Sequence, residues 1–131
     1  MPRKKGSTVE RVGVVKTLGE LEIEIMNVVW DAGQATVQDV FEVLYPKRKL
    51  AYTTVMTVLS RLAAKGVLEQ DRKTVAYVYR PLVSREEVAV TVMNEVVDRV
   101  LGGRLSPLLA AYLKRDGVDA EERQRLRKLV S

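Results

Sequence analysis

The segment Tyr52–Gly66, YTTVMTVLSRLAAKG, decides the fold, because it predicts an amphipathic helix with a small exposed face. Its apolar residues recur at the i, i+3, i+4, i+7 spacing of a helix that packs on a core, namely Val55, Val58, Leu59 and Leu62. The opposite side carries small and mostly hydroxylated residues, Thr53, Thr57, Ser60 and Ala64. Gly66 supplies a helix stop. A helix with such a face can approach another surface closely.

The charge around this helix indicates an anionic partner. From residue 43 to residue 68 the chain has no acid and five bases, which are Lys47, Arg48, Lys49, Arg61 and Lys65. Residues 17–42 carry six acids and no base, whereas the whole chain has a net charge of +5. The major groove of DNA admits one helix, and Thr or Ser can contact base edges or a thymine methyl. The pattern therefore predicts a DNA-binding face, and an ordinary amphipathic helix with a solvated outer face is the alternative.

The composition argues against an enzyme. The sequence has no cysteine and no histidine, which removes disulfides, thiol nucleophiles, imidazole bases and most transition-metal sites. We therefore expect no cofactor, no metal and no catalytic residue. No stretch is long and apolar enough for a membrane span, and the N-terminus lacks an apolar signal region. The sequence predicts a cytoplasmic protein that does not insert into a membrane.

Two helices are predicted before the Tyr52 segment. The alternation over residues 21–25 has the period of a strand, but a longer stripe favours a helix that ends at Gly33, formed by Leu18, Leu21, Ile25, Val28 and Val29. Thr36, with Asp39 three residues later, predicts a capping box for a second helix. That helix buries Val37, Val40, Phe41 and Leu44. Pro46 is expected to close it, and Lys47–Lys49 to form a basic loop.

A β-hairpin is predicted after the Tyr52 helix. Val67–Asp71 and Val75–Arg80 are rich in β-formers, and the polar tip Arg72–Lys73–Thr74 separates them. Three helices followed by a two-stranded wing describe a winged helix-turn-helix domain. In that arrangement the third helix enters the major groove and the wing lies on the flanking backbone. Bases at the tip suit phosphate contact, although they are also common for solubility.

The last third of the chain predicts three helices. Ser84 and Glu87 form a capping box before the run from Val88 to Leu101, which Gly102 ends. A second helix starts at Ser106–Pro107 and runs through Leu113, and a third starts at Asp119. The long helix has two apolar rows, one with Val88, Val92 and Val96, the other with Ala89, Met93, Val97 and Val100. One row can pack on the wing domain and the other needs a second chain, so we expect a homodimer; a monomer with a small C-terminal bundle is the alternative.

The fold class expected is therefore mainly α with a small β-hairpin: a winged helix-turn-helix domain followed by a C-terminal helical dimerisation segment. We divide the chain into a basic N-terminal arm over residues 1–16, a winged-helix DNA-binding domain over residues 17–82, and a helical dimerisation segment over residues 83–131.

Three stretches resemble a known family: LGELEIEIMNVVWDAGQATVQDV (residues 18–40), LAYTTVMTVLSRLAAKGVLEQD (50–71) and YVYRPLVSREEV (77–88). They are similar to the penicillinase-repressor family, the BlaI/MecI/CopY-type winged-helix transcriptional repressors. The resemblance implies dimers held by C-terminal helices that repress by occupying palindromic operators. It places Thr53, Thr54 and Thr57 at recognition-helix positions used for bases and nearby phosphates, and Arg72 and Lys73 at the wing tip.

The chain departs from two branches of that family. The copper-responsive branch adds a cysteine pair for metal, which this chain lacks, so the resemblance does not extend to metal sensing. The β-lactam branch is relieved when a membrane sensor-protease pathway leads to cleavage in the dimerisation helices, commonly at an Asn–Phe bond. The corresponding bond here is Ala111–Tyr112, which keeps the aromatic residue and lacks the asparagine.

The sequence thus predicts a homodimeric transcriptional repressor that binds double-stranded DNA at a palindromic operator, with β-lactam-resistance-type genes as the implied targets. A winged-helix protein-interaction module without sequence-specific DNA binding is the alternative. The predicted DNA-contact residues are Lys47, Lys49, Tyr52, Thr53, Thr54, Thr57, Arg61, Arg72 and Lys73.

Overall fold

The computed structural model describes residues 18–115 and 117–130, without the side chain of Val130. Over these residues the protein is mainly helical with one small antiparallel sheet. The elements in chain order are α1 (Glu20–Ala32), β1 (Ala35–Thr36), α2 (Val37–Arg48), α3 (Tyr52–Ala64), β2 (Leu68–Asp71), β3 (Val78–Pro81), α4 (Arg85–Arg99), α5 (Ser106–Lys114) and α6 (Ala120–Val130). The basic arm predicted for residues 1–16 lies outside the described residues.

Helix α1 is the helix that the longer apolar stripe predicts, not a strand. Ile25, Met26 and Val29 are fully buried on its inner side. Gly33 ends it with a φ of 85°, in the left-handed region that a side chain would strain. The predicted helix and its stop are confirmed.

Helix α2 begins as predicted and ends later. The Thr36 hydroxyl accepts a hydrogen bond of 3.1 Å from the Asp39 N–H, and the Asp39 carboxylate accepts one of 2.9 Å from the Thr36 N–H. The prediction that Pro46 closes the helix is wrong, because α2 continues to Arg48 and ends at Lys49, which has a φ of 55°. A proline removes one helical N–H donor, and α2 tolerates this loss one turn before its end. Residues 47 and 48 are therefore helical and not part of a loop.

Helix α3 matches the prediction within one residue at its C-terminal end. Val55, Val58, Leu59 and Leu62 are buried on its inner side. Gly66 follows with a φ of 83°, and the Val67 N–H bonds the Leu62 carbonyl at 3.0 Å. These bonds turn the chain from α3 directly into the sheet.

The sheet has the strand order β1-β3-β2, and all its pairs are antiparallel. The prediction that the second hairpin strand starts at Val75 is wrong: it starts at Val78, and Val75 is fully exposed. Residues 72–77 form a longer tip, the wing loop, in which the Thr74 hydroxyl donates to the Ala76 carbonyl at 2.6 Å. Strand β1 was not predicted, because two residues are too few to show an alternating pattern.

The described residues fold into two compact units that divide between Val92 and Met93, within α4. The first unit holds the main core, to which α1, α2, α3, the sheet and the start of α4 contribute; its largest fully buried side chains include Tyr79, Ile25, Met26, Leu59 and Leu62. The predicted domain limits, at residues 82 and 83, stay a prediction. None of the described helices is long and apolar enough to cross a bilayer.

Two of the three C-terminal helices, α4 and α6, begin with the predicted caps, whereas α5 begins without a side-chain cap. The Ser84 hydroxyl accepts from the Glu87 N–H at 3.0 Å, and the Asp119 carboxylate accepts from the Glu122 N–H at 2.7 Å. Pro107 lies in the first turn of α5. Within the second unit, the Arg123 guanidinium donates to the Leu113 carbonyl at 3.1 Å and so connects α6 to α5.

Candidate nucleic-acid interface

The outer face of α3 is exposed along its length. Tyr52, Thr53 and Thr57 are exposed, whereas Thr54 is half-buried near the helix start. Because the first N–H groups of a helix lack internal partners, this end of α3 also offers backbone donors to an anion. The residues of α3 bear no acid, so nothing on the helix opposes a phosphate.

The C-terminal end of α3 is held against α1 by an ion pair. Lys65 donates to the Glu22 carboxylate at 2.9 Å, and the other oxygen of Glu22 accepts from the Gly19 N–H at 3.0 Å. Burial acts to raise the pKa of Glu22, but these two hydrogen bonds and the charge of Arg61 outweigh it, so the pKa of Glu22 lies below its ordinary value. Lys65 is therefore held in an ion pair within the protein, while Arg61 stays exposed on the outer surface.

An aromatic cluster of Phe41, Tyr45 and Tyr52 connects the end of α2 to the start of α3. The Phe41 ring lies 5.2 Å from the Tyr45 ring and 5.6 Å from the Tyr52 ring, measured between centroids. The Lys49 ammonium lies 4.7 Å from the centre of the Tyr45 ring, a cation–π contact. Lys49 is therefore held close to the start of α3 and remains exposed.

The wing loop is fixed at its base by Asp71. One carboxylate oxygen accepts from the Lys73 N–H at 2.9 Å and the other from the Arg80 guanidinium at 3.0 Å. The Lys73 backbone N–H, followed by Arg80, lowers the pKa of Asp71, so the carboxylate stays charged and keeps both bonds. The side chains of Arg72 and Lys73 are both exposed in this loop, as a phosphate contact requires.

A cleft of about 310 Å³ lies between α3, the wing loop and the start of α2, where Gln38 lines it. Tyr52, Met56 and Ser60 line it from α3, and Val75 and Tyr77 line it from the wing. The Arg72 guanidinium lies 5.5 Å from the centre of the Tyr77 ring, beside the cleft. The sequence-based site omitted Met56, Val75 and Tyr77. The spacing of Tyr52 and Met56, four residues apart, is the signal that could have revealed Met56.

Lys47 is exposed but lies apart from this cleft. It lines a separate groove between α1 and α2, together with Glu24, Asp31 and Val43. The sequence placed Lys47 beside Lys49 in one loop, but α2 continues through both Lys47 and Arg48 and directs successive side chains to different sides. Its contact with DNA stays a prediction, and the groove that it lines is formed by α1 and α2, not by α3 or the wing loop.

The bond between Ala111 and Tyr112 lies inside α5, with Ala111 exposed and Tyr112 half-buried. The Arg115 guanidinium lies 4.3 Å from the centre of the Tyr112 ring. A protease that needs an extended substrate can reach this bond only when α5 opens locally.

Within residues 18–115 and 117–130, no three or more histidine, cysteine, aspartate or glutamate side chains cluster as a metal site would require. The features that converge in this part of the first unit are instead a groove-sized helix face, an apolar cleft and exposed cations. Such a surface can bind a polyanion and contact its bases through hydroxyl and apolar groups.

In a comparison with protein families, residues 18–131 match the family described as penicillinase repressor. The transcriptional regulator BlaI of Mycobacterium tuberculosis is 38% identical over 104 residues, which cover 78% of this chain and 75% of that protein. The penicillinase repressor of Bacillus licheniformis is 22% identical over 116 residues, or 88% of this chain and 91% of that protein.

Among solved structures, the DNA-binding domain of the repressor BlaI has a similar fold. It aligns with a TM-score of 0.51 and 25% identity, and the alignment covers 56% of this chain and 89% of that domain.

Proposed function

Because this chain belongs to the penicillinase repressor family, we propose that it represses transcription as a homodimer bound to a palindromic operator in duplex DNA. A DNA-binding transcriptional repressor is the function on which the family, the curated relatives and the fold agree. The observation that carries the proposal is the acid-free outer face of α3, next to a wing loop with two exposed cations.

In the proposed complex α3 enters the major groove. Thr53, Thr57 and the start of the helix contact bases and the nearest phosphates, while Arg72 and Lys73 neutralise phosphates beside the wing. Lys49, Tyr52, Thr54 and Arg61 complete the contact surface. Lys47 contributes least, because the groove that it lines is formed by α1 and α2 and not by α3 or the wing loop.

The homodimer is proposed from the apolar residues that α4 leaves exposed. Val90, Val92, Met93 and Val96 are each between 38% and 56% exposed. A helix that exposes this much apolar surface gains free energy when a second chain covers it. A dimer with two-fold symmetry would present two α3 helices to successive faces of the operator, about one helical turn or a multiple of it apart.

The way in which repression is relieved, the target genes and the cellular compartment are proposed from the family. We propose that β-lactam-resistance-type genes are among the targets, and that cleavage at Ala111–Tyr112 after local opening of α5 would separate the dimer. Because a repressor must share a compartment with its operator, the protein would act in the cytoplasm. As a member of a family of repressors, it would have no catalytic role of its own.

The test is fluorescence anisotropy of the full chain with the duplex immediately upstream of its own gene, against an unrelated duplex, across a salt series. We expect tighter binding to the upstream duplex, with log affinity falling linearly with log salt. Equal and weak binding to both duplexes would contradict an operator at that position. The absence of duplex binding even at low salt would contradict the repressor and indicate a protein-interaction module.

A further inference from the structure

The exposed side of α3 presents hydroxyl groups, threonine methyl groups and a thioether over most of its length. Bidentate contacts to guanine or adenine come from Arg, Lys, Asn or Gln. From Tyr52 to Ser60 the helix has none of these, and Arg61 comes only in its last turn. The exposed side chains of Thr53, Met56, Thr57 and Ser60 offer single hydroxyls or apolar groups. The base feature that apolar groups can recognise in the major groove is the 5-methyl of thymine.

We infer that this repressor recognises its operator chiefly through thymine methyl groups, with Met56 as the principal specificity-determining residue. The inference rests on the proposed DNA-binding function and names the chemistry by which that function selects its sequence.

The exposure of Met56 is unusual within α3. The other large aliphatic residues of the helix, Val55, Val58, Leu59 and Leu62, are at most 5% exposed, whereas Met56 is 42% exposed. An unbranched thioether can adapt its shape to an apolar group that approaches it. Met56 therefore offers apolar surface that the fold of the monomer does not bury.

The cleft around Met56 extends this apolar surface towards the wing. Val75 is fully exposed and lines the same cleft as Met56, Tyr52 and Tyr77. Exposed cations flank these aromatic residues: Arg72 lies on the Tyr77 ring, and Lys49 lies on Tyr45, which contacts Tyr52 through Phe41. An occupant that is anionic outside and carries methyl groups inside fits this surface, and thymine-containing duplex DNA has both properties.

Replacement of thymine by uracil tests the inference directly, since it removes the 5-methyl and keeps the base pair. The probes are duplexes selected from a random-sequence library by the full chain, each with one thymine replaced by deoxyuridine. We expect at least one position where the replacement weakens binding about fourfold, the effect of one buried methyl group. Several such replacements together should weaken binding more than tenfold.

The variant Met56→Ala tests whether Met56 makes the contact with the thymine methyl group. At the sensitive position, we expect the thymine-to-uracil ratio of affinities to fall from about fourfold to near one in this variant. Met56→Leu, which keeps an apolar side chain, should retain most of the ratio. Val43→Ala is the matched control, because Val43 is 48% exposed on α2 and away from the cleft. Circular dichroism melting checks that each variant is folded.

The outcomes separate the two proposals. Selected duplexes that tolerate uracil at every position would overturn thymine-methyl recognition and leave the repressor function standing. A thymine preference that persists in Met56→Ala would overturn the role of Met56. A full chain that selects no duplex above the unselected library would overturn both.

Discussion

The indole N–H of Trp30 donates a hydrogen bond of 2.9 Å to the main-chain carbonyl of Val83, which lies 53 residues further along the chain. The bond connects the end of α1 to the residues before α4. Arg85 strengthens the same junction, since its guanidinium lies 5.4 Å from the centre of the Trp30 ring and donates to Asp31 at 2.6 Å. The start of α4 is thereby attached to the winged helix, and Val88 is buried in the same core.

Trp30→Phe should lower the free energy of unfolding by about 1–3 kcal/mol, because the part-buried Val83 carbonyl loses its donor. Urea unfolding followed by circular dichroism measures this difference. Tyr77→Phe is the control, because it removes a polar group from an aromatic residue that is exposed. It should change the free energy of unfolding by less than about 0.5 kcal/mol. If Trp30→Phe were as stable as the wild type, the bond would not stabilise the junction.

Short-range signals account for most of what the sequence predicted correctly. The helix starts at Thr36, Ser84 and Asp119 follow from residues three apart, whose side chains and N–H groups bond each other locally. The buried stripe of α3 follows from one helical period. The predicted membership of the penicillinase-repressor family is confirmed by the match over residues 18–131.

The features that the sequence missed depend on contacts between distant segments. Strand β1 exists because Ala35 pairs with Tyr79. A local pattern in the sequence cannot indicate a partner 44 residues away. The wing loop is longer than predicted because Val75 has β-forming character but no pairing partner within the described sheet. Met56 was omitted from the site since its neighbours in the cleft, Val75 and Tyr77, come from another element. Lys47 was grouped with Lys49 because Pro46 was expected to end the helix.

The ion pair between Glu22 and Lys65 predicts a pH dependence of stability. The pKa of Glu22 in the folded state lies below its ordinary value of 4.5, so the folded state binds fewer protons than the unfolded state. Its contribution is complete above about pH 4.5 and is lost as the pH falls through the folded-state pKa. Glu22→Gln should therefore be less stable than the wild type at pH 7, and the difference should shrink towards pH 3.

Urea titrations at several pH values between 7 and 3 measure this difference. Glu20→Gln is the matched control, because Glu20 lies in the same helical turn and is exposed. At pH 7, Glu20→Gln should lower the free energy of unfolding by less than Glu22→Gln does. A constant destabilisation of Glu22→Gln across the whole range would mean that the carboxylate acts through packing and not through its charge.

The exposed cations near α3 predict a specific salt dependence. Each phosphate that a lysine neutralises contributes about 0.9 to the slope of log affinity against log salt. Each substitution is present in both subunits of the proposed dimer, so Lys49→Ala and Lys73→Ala should each reduce the slope on the full palindrome by about 1.8 and weaken binding to all duplexes similarly. Lys47→Ala should reduce it less, because Lys47 lines a groove formed by α1 and α2, away from the cleft beside α3.

Anisotropy titrations at five or more salt concentrations give these slopes. Arg104→Ala serves as the control, since Arg104 is an exposed base in the second unit and should leave the slope unchanged. Equal slopes for Lys49→Ala, Lys73→Ala and the wild type would exclude both lysines from phosphate contact.

The exposed apolar residues of α4 predict how the oligomeric state responds to a buried charge. Val92 is 46% exposed in the single chain, so Val92→Glu should leave the monomer folded. In a dimer that covers this residue, the carboxylate would lose water without gaining a partner and would oppose association strongly. Sedimentation velocity should show the wild type as a dimer and the variant as a monomer at the same concentration.

DNA binding then distinguishes a dimer interface from a general defect. The Val92→Glu monomer should bind a single half-site about as well as the wild type does, because α3 and the wing are unchanged. Its affinity for the full palindrome should fall to that of a half-site, since two linked recognition helices no longer bind together. Asn94→Glu is the control on the same helix, where a polar exposed residue gains the same charge. A Val92→Glu protein that stays dimeric and keeps the full affinity would place the interface elsewhere than on this part of α4.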